Sequence, residues 1–302
     1  MKTLALLLAL AALAVSQDAS AQDDVVFRSG VSLVRVDAEA VVTSGPDTGK
    51  VIPGLTKDDF RVLDQGQEQK ITNFSFAEEP LDLILLFDTG GGMKGKLLEM
   101  LRATELGFYE LKKGDRVSVR NFASLSQEVL PFTDNLETVN RSILLGTFTL
   151  KFSGTSRLLP AAEEAALRFR TEPQTHRKRA ILAITDKTAG HDADQANTVK
   201  DLWNNNAVFS ELILGRASQT QTMAGDSDAI VEKTGGATIH AGTPGPAFRD
   251  SVHYLRSGYA IYYSQPDAPS GSERSLQVEL TPDAAKRYPN VRVRARSGYI
   301  VP

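Results

Sequence analysis

Three textures of hydrophobic patterning follow one another along the chain. Up to Phe76 apolar and polar positions alternate. Val31-Ser-Leu-Val-Arg-Val-Asp-Ala-Glu-Ala-Val-Val42 and Phe60-Arg-Val-Leu-Asp64 have the period of two that turns one face to a core and the other to water, with turns at 44–49 and around Gly66. At Pro80 the pattern changes. Leu81-Asp-Leu-Ile-Leu-Leu-Phe87 is nearly continuous in hydrophobicity, the mark of a central parallel strand buried on both faces. From there the pattern predicts strands at 81–88, 116–122, 127–130, 179–185, 207–214 and 237–241, alternating with helices near 94–112, 135–145, 156–170, 193–205, 226–234 and 245–256. That alternation predicts an α/β fold, a doubly wound, mostly parallel sheet with helices on both sides. After Gly258 the β texture returns at 259–263, 274–280 and 291–296, with a loop at 266–271 and no helix signal in this tail.

The N-terminal strands and the tail strands each carry an apolar face that another layer must cover. They are expected to pair into one β module. The predicted organisation is therefore a leader at 1–21, an N-terminal β segment at 22–79, a domain at 80–258 and a C-terminal β segment at 259–302.

The first residues set the compartment. Lys2 precedes an unbroken apolar run of 12 residues from Leu4 to Val15, and Ala19-Ser20-Ala21 offers small residues at the two positions a signal peptidase reads. A membrane anchor needs about 20 apolar residues, so the segment is expected to be a leader cleaved before Gln22, leaving an exported chain, periplasmic or secreted, without a transmembrane segment. Composition narrows the partners. Lys plus Arg at 34 against Asp plus Glu at 37 gives a net charge of −3, with no basic stripe to gather phosphate-backbone energy, so nucleic acid is not an expected partner. The absence of cysteine removes disulfides, Cys-ligated zinc, iron–sulfur clusters and thiol catalysis together.

Candidate chemistry collects at the carboxyl ends of the buried strands, where doubly wound folds place their ligand crevice. Strand 81–88 ends in Asp88-Thr-Gly-Gly-Gly-Met93, strand 179–185 runs into Asp186, and Gly154-Thr155-Ser156 opens the helix between them. These residues resemble the von Willebrand factor type A family, and more narrowly its exported, acidobacterial-type branch in which the domain is flanked by β segments. Gly54-Leu-Thr-Lys-Asp-Asp-Phe60 and Arg296-Ser-Gly-Tyr299 carry the resemblance into both flanks.

The resemblance implies a non-enzymatic protein-interaction or adhesion-type module with a metal-ion-dependent adhesion site. Its metal residues here would be Asp88, Thr155 and Asp186, while Gly90 and Gly92 stand where the family has serines. Magnesium demands octahedral oxygen ligands, so a single hydroxyl with two carboxylates predicts weak Mg²⁺ binding or none, and no other cofactor. The expected partner is a protein or extracellular ligand. Lys94, Lys96 or Lys187 could supply the missing positive charge, or point to solvent.

Two alternatives remain at this level. One is a structural or assembly component of the cell envelope whose site is vestigial. The other is an NTPase, because Gly90-Gly-Gly-Met-Lys-Gly95-Lys96 has phosphate-loop spacing; there Leu97 replaces the hydroxyl that should hold Mg²⁺. No catalytic residue is predicted, since the four histidines, His176, His191, His240 and His253, are scattered without ligand spacing. Tyr259, Tyr262 and Tyr263 are expected to be cross-strand packing, and Arg292, Arg294 and Arg296 a solvated edge.

Overall fold

The computed structural model describes residues 32–302 except 77–78, 97–103, 105–106, 150–151, 174–176, 188–194, 216–224 and 242–243. The leader and its cleavage site, His176 and His191 lie outside the described residues. Residues 32–302 form one compact unit.

Alternating side chains build the strands of the first segment. β1 (Leu33–Val42), β2 (Phe60–Asp64), β3 (Gln67–Gln69) and β4 (Ile71–Phe76) lead into the apolar β5 (Leu81–Asp88), in which every residue is buried. β6 (Arg116–Phe122), β7 (Ser126–Thr133), β8 (Lys178–Thr185), β9 (Ala207–Leu214) and β10 (Thr238–Ala241) complete a six-stranded sheet in the order β10-β9-β8-β5-β6-β7. All its neighbours run parallel except β7, which is antiparallel at one edge. The helices α1 (Leu136–Thr149), α2 (Leu158–Arg168), α3 (Gln195–Asn204), α4 (Gly225–Thr234) and α5 (Pro244–Arg256) cover it. Leu83, Leu85 and Phe87 face one apolar cluster with Phe248 and Leu255, while Ile84 and Leu86 face the other with Phe169 and Trp203. This two-sided burial is why strand 81–88 reads as an uninterrupted hydrophobic run.

Both chain ends build the flanking module. β11 (Tyr259–Ser264), β12 (Glu273–Leu280), β13 (Val291–Ala295) and β14 (Gly298–Ile300) join the N-terminal strands in two four-stranded sheets, β13-β1-β11-β4 and β14-β12-β2-β3. β1 lies antiparallel between β11 and β13, and β2 pairs with β12, so neither end of the chain makes its sheet alone. Val36, Val62, Ile261 and Tyr263 are among the residues that fill the core between them.

Three expectations need correction. The two ends of the helix predicted over 94–112 are 3₁₀ turns, at Gly91–Lys96 and Phe108–Glu110, while 97–103 and 105–106 between them lie outside the described residues. Three successive glycines before Met93 lack the side chains that favour a regular helix start. The tail does contain a helix, α6 (Pro282–Arg287), which starts because Thr281 caps it by accepting the Ala284 N–H and Pro282 sits in its first turn. Finally, Arg296 leaves the solvated row of Arg292 and Arg294. It is 9% exposed, donates to Asn206 at 2.7 Å and stacks over the Tyr299 ring at 5.5 Å.

Candidate functional site

The carboxyl ends of β5 and β8 bring two carboxylates to one crevice, as the parallel register of the two strands requires. Asp88 is fully buried and both its oxygens are engaged. Oδ1 accepts from the Ser156 hydroxyl and from the Gly90 N–H at 2.8 Å, and Oδ2 accepts from the Thr185 hydroxyl at 2.6 Å. Burial pushes the Asp88 carboxyl above its ordinary value, and the three donors pull against it. Thr185 in turn accepts the Lys187 N–H at 3.0 Å, so one hydroxyl links both strand ends.

Backbone geometry decides which hydroxyl arrives. Gly154 takes φ +75°, the left-handed region open to glycine, and the turn it makes leaves Thr155 exposed while Ser156 turns in to Asp88. The Gly91 N–H donates to the Gly154 carbonyl at 3.1 Å and the Ser153 N–H to the Thr89 carbonyl at 3.2 Å, which ties the two loops together. A Cβ added at Gly90 would stand 2.1 Å from the Ser156 hydroxyl oxygen, so the glycine and the serine fit each other.

The three lysines part ways. Lys94 is exposed. Lys96 reaches across to Asp186, its ammonium 3.1 Å from a carboxylate that is only 3% exposed. Lys187 turns inward from a left-handed backbone, φ +59°, to pair with the buried Glu211 at 3.3 Å and with Asp228. Burial holds the Glu211 carboxyl above its ordinary range against the pull of that ammonium.

Of the sequence-predicted site residues, Asp88 and Asp186 therefore lie at the strand ends, each with partners of its own, and Thr155 lies on the rim. Thr185, Glu211 and Asp228 are neighbours of the crevice that residue spacing alone did not single out, and Ser156 rather than Thr155 is the hydroxyl that reaches Asp88. Ser156 had a signal in its adjacency to Thr155. Glu211 had one as a lone acid inside an apolar strand. His240 is exposed on β10 and His253 hydrogen-bonds Glu110 at 2.9 Å, so neither enters the crevice. Among the described residues no group of three acidic or histidine side chains gathers as a metal ligand set, and no helix is long and apolar enough to cross a membrane.

Residues 83–190 match the von Willebrand factor type A domain family. No curated protein matches the sequence. Similar solved structures include an aerotolerance-related membrane protein of Bacteroides fragilis, 16% identical with a TM-score of 0.47, covering 58% of this chain and 98% of that one. A von Willebrand factor type A protein of Catenulispora acidiphila is 12% identical with a TM-score of 0.45 over 83% of this chain and 70% of its own. The manganese-loaded TRAP protein of Plasmodium vivax is 11% identical with a TM-score of 0.47, over 70% and 97%. Domains of this family are commonly protein-interaction modules. The family match spans β5 to the end of β8, and the mixed sheet that carries the paired carboxylates continues on both sides of that stretch: residues 83–190 are similar to a von Willebrand factor type A domain, within an α/β unit flanked by a β module made from the N- and C-terminal strands.

Proposed function

We propose that the chain is an exported, non-enzymatic interaction module for a protein or extracellular ligand, and that its crevice works without tightly bound Mg²⁺. One observation carries this reading. The Lys96 ammonium already neutralises Asp186 while both oxygens of Asp88 accept hydrogen bonds from within the chain. A magnesium ion would have to displace a salt bridge and break the hydroxyl contacts, and it dehydrates reluctantly even where six oxygens await it. The donor set at this site therefore does not fit the ion. Lys96 is a tethered cation in its place, and the engagement of its ammonium with Asp186 speaks against a phosphate loop.

Calorimetric titration of the mature protein with MgCl₂ tests the reading. The expected result is no heat of binding up to millimolar concentration, together with unchanged capture of binding proteins from an exported fraction in EDTA. Micromolar Mg²⁺ affinity in the wild type would overturn it. N-terminal sequencing of the exported protein tests the localisation, with Gln22 expected first.

A further inference from the structure

We propose that Lys187 and Asp228 condense into an intramolecular amide, with Glu211 relaying the protons, so that the loop after β8 is joined covalently to α4. The three side chains come from three elements and meet at one point. Lys187 lies just beyond the end of β8, Glu211 in the middle of β9, and Asp228 near the start of α4. The Lys187 ammonium hydrogen-bonds Asp228 Oδ1 and stands 3.3 Å from Glu211 Oε2. The Lys187 backbone sits in the left-handed region, which residues other than glycine seldom adopt, and its side chain is only 5% exposed. Glu211 is fully buried. An amine, a carboxyl and a buried acid to move protons are what an amide condensation needs, and groups held in contact react without the entropy cost of meeting.

Burial supplies the drive. An ammonium and a carboxylate kept from water carry a desolvation cost that a neutral amide does not. The same burial, with Asp228 adding to it and Lys187 opposing it, holds the Glu211 carboxyl above its ordinary range, where it accepts and returns a proton. In the step, Glu211 carries one proton from the Lys187 ammonium to the Asp228 carboxylate, leaving a neutral amine and a neutral acid. The Nζ lone pair attacks Asp228 Cγ, the Nζ–Cγ bond forms, and a Cγ–O bond breaks. The departing hydroxyl takes a second amine proton through Glu211 and leaves as water, for which the half-exposed side of Asp228 is the way out. One water is lost, nothing is oxidised or reduced, and Glu211 ends as it began. The product ties together positions 41 residues apart in a chain that has no cysteine for a disulfide.

A tryptic digest of the purified full chain, made after denaturation and read by tandem mass spectrometry, tests this independently of the leader and of any metal in the crevice. Trypsin cuts after Arg179, Lys200, Arg216 and Lys233, and a Lys187 acylated on Nζ is no longer cut. The expected product is peptide 180–200 joined to peptide 217–233, lighter by one water than the two together, with fragment ions that place the bond at Asp228 and not at Asp226. Asp228→Ala should abolish it and release 180–187 and 188–200 instead. Glu211→Gln, sampled at the same time after synthesis, should lower its yield at least tenfold. Separate peptides of full mass in the wild type would overturn the proposal, whether or not either variant folds. A water lost within 217–233 alone would overturn it as well, since that marks a cyclic imide. Full yield in Glu211→Gln would overturn the relay.

Discussion

Asp88 is a carboxylate kept from water and supplied with donors by its own chain, and this makes its neighbours sterically interdependent. The Gly90 position has room for hydrogen only, because a Cβ would meet the Ser156 hydroxyl oxygen at 2.1 Å. Gly90→Ala should therefore cost about 1–3 kcal/mol through overpacking, measured by urea unfolding. Ser156→Ala alone should cost about 1–3 kcal/mol by taking a donor from a buried carboxylate. In the double variant the two costs should not add, since the alanine at 156 removes the atom that clashes; simple additivity would show the contact is not the cause. A second buried carboxylate behaves differently. Asp64 accepts from the hydroxyls of Tyr263 and Tyr299, each at 2.8 Å, and from Arg274 at 2.7 Å. Burial first, and then the Asp64 carboxylate, push Tyr299 up to about 12. Asp64→Asn strands the Arg274 charge and should cost about 3–5 kcal/mol, whereas Tyr299→Phe removes one of three donors and should cost about 1 kcal/mol.

At the scale of elements, small signals decide short structures. α6 is only six residues, and its start depends on Thr281, whose side chain accepts the Ala284 N–H. Thr281→Ala should lower stability by about 1 kcal/mol, visible as a small drop in melting temperature. The same element shows where sequence reading reaches its limit. Long segments were legible because burial imposes their period: β5, β8 and β9 are buried along their whole length and read as apolar runs, and β1 alternates because one face meets the module core. A six-residue helix gives no period to read, and its Thr-Pro-Asp start was the only clue. The 3₁₀ turn at Gly91–Lys96 was hidden for a related reason, since spacing does not reveal how three glycines will bend. In the crevice, the two strand-end carboxylates follow from strand order. The choice of Ser156 over Thr155 depends on one positive φ at Gly154, which no residue pattern encodes.

At the scale of the whole molecule, the β module and the α/β unit share buried contacts, and these set two behaviours. Glu39 on β1 is fully buried and meets Lys178 at the start of β8 at 2.5 Å, with Gly258 packed against both. Burial pushes the Glu39 carboxyl up to about 7 from its ordinary value of 4.5, against the pull of Lys178. A carboxyl whose folded pKa is raised contributes stability that is complete below the unfolded value and is lost as pH rises through the folded one. Stability from this group should thus fall between about pH 4.5 and pH 7. Glu39→Gln should remove that slope in a series of urea unfolding curves, and an unchanged slope would show that another group is responsible. The second behaviour follows from strand pairing. β1 has both its neighbours, β11 and β13, in the tail, β4 pairs with β11, and β2 keeps only the three-residue β3 if β12 is lost. Deleting 259–302 therefore strips β1 and β4 of every ladder and opens the apolar faces of Val34, Val36 and Val62, which are at most 4% exposed in the intact chain. The six-stranded sheet loses none of its strands by the same cut, since β10 is its last and ends at Ala241. Limited proteolysis should then clip residues 32–76 rapidly while a fragment beginning near residue 80 persists, because opening energies follow local burial and pairing. Equal resistance of the N-terminal strands in the truncated and intact chains would mean that they stand without the tail, and the shared module would have to be abandoned.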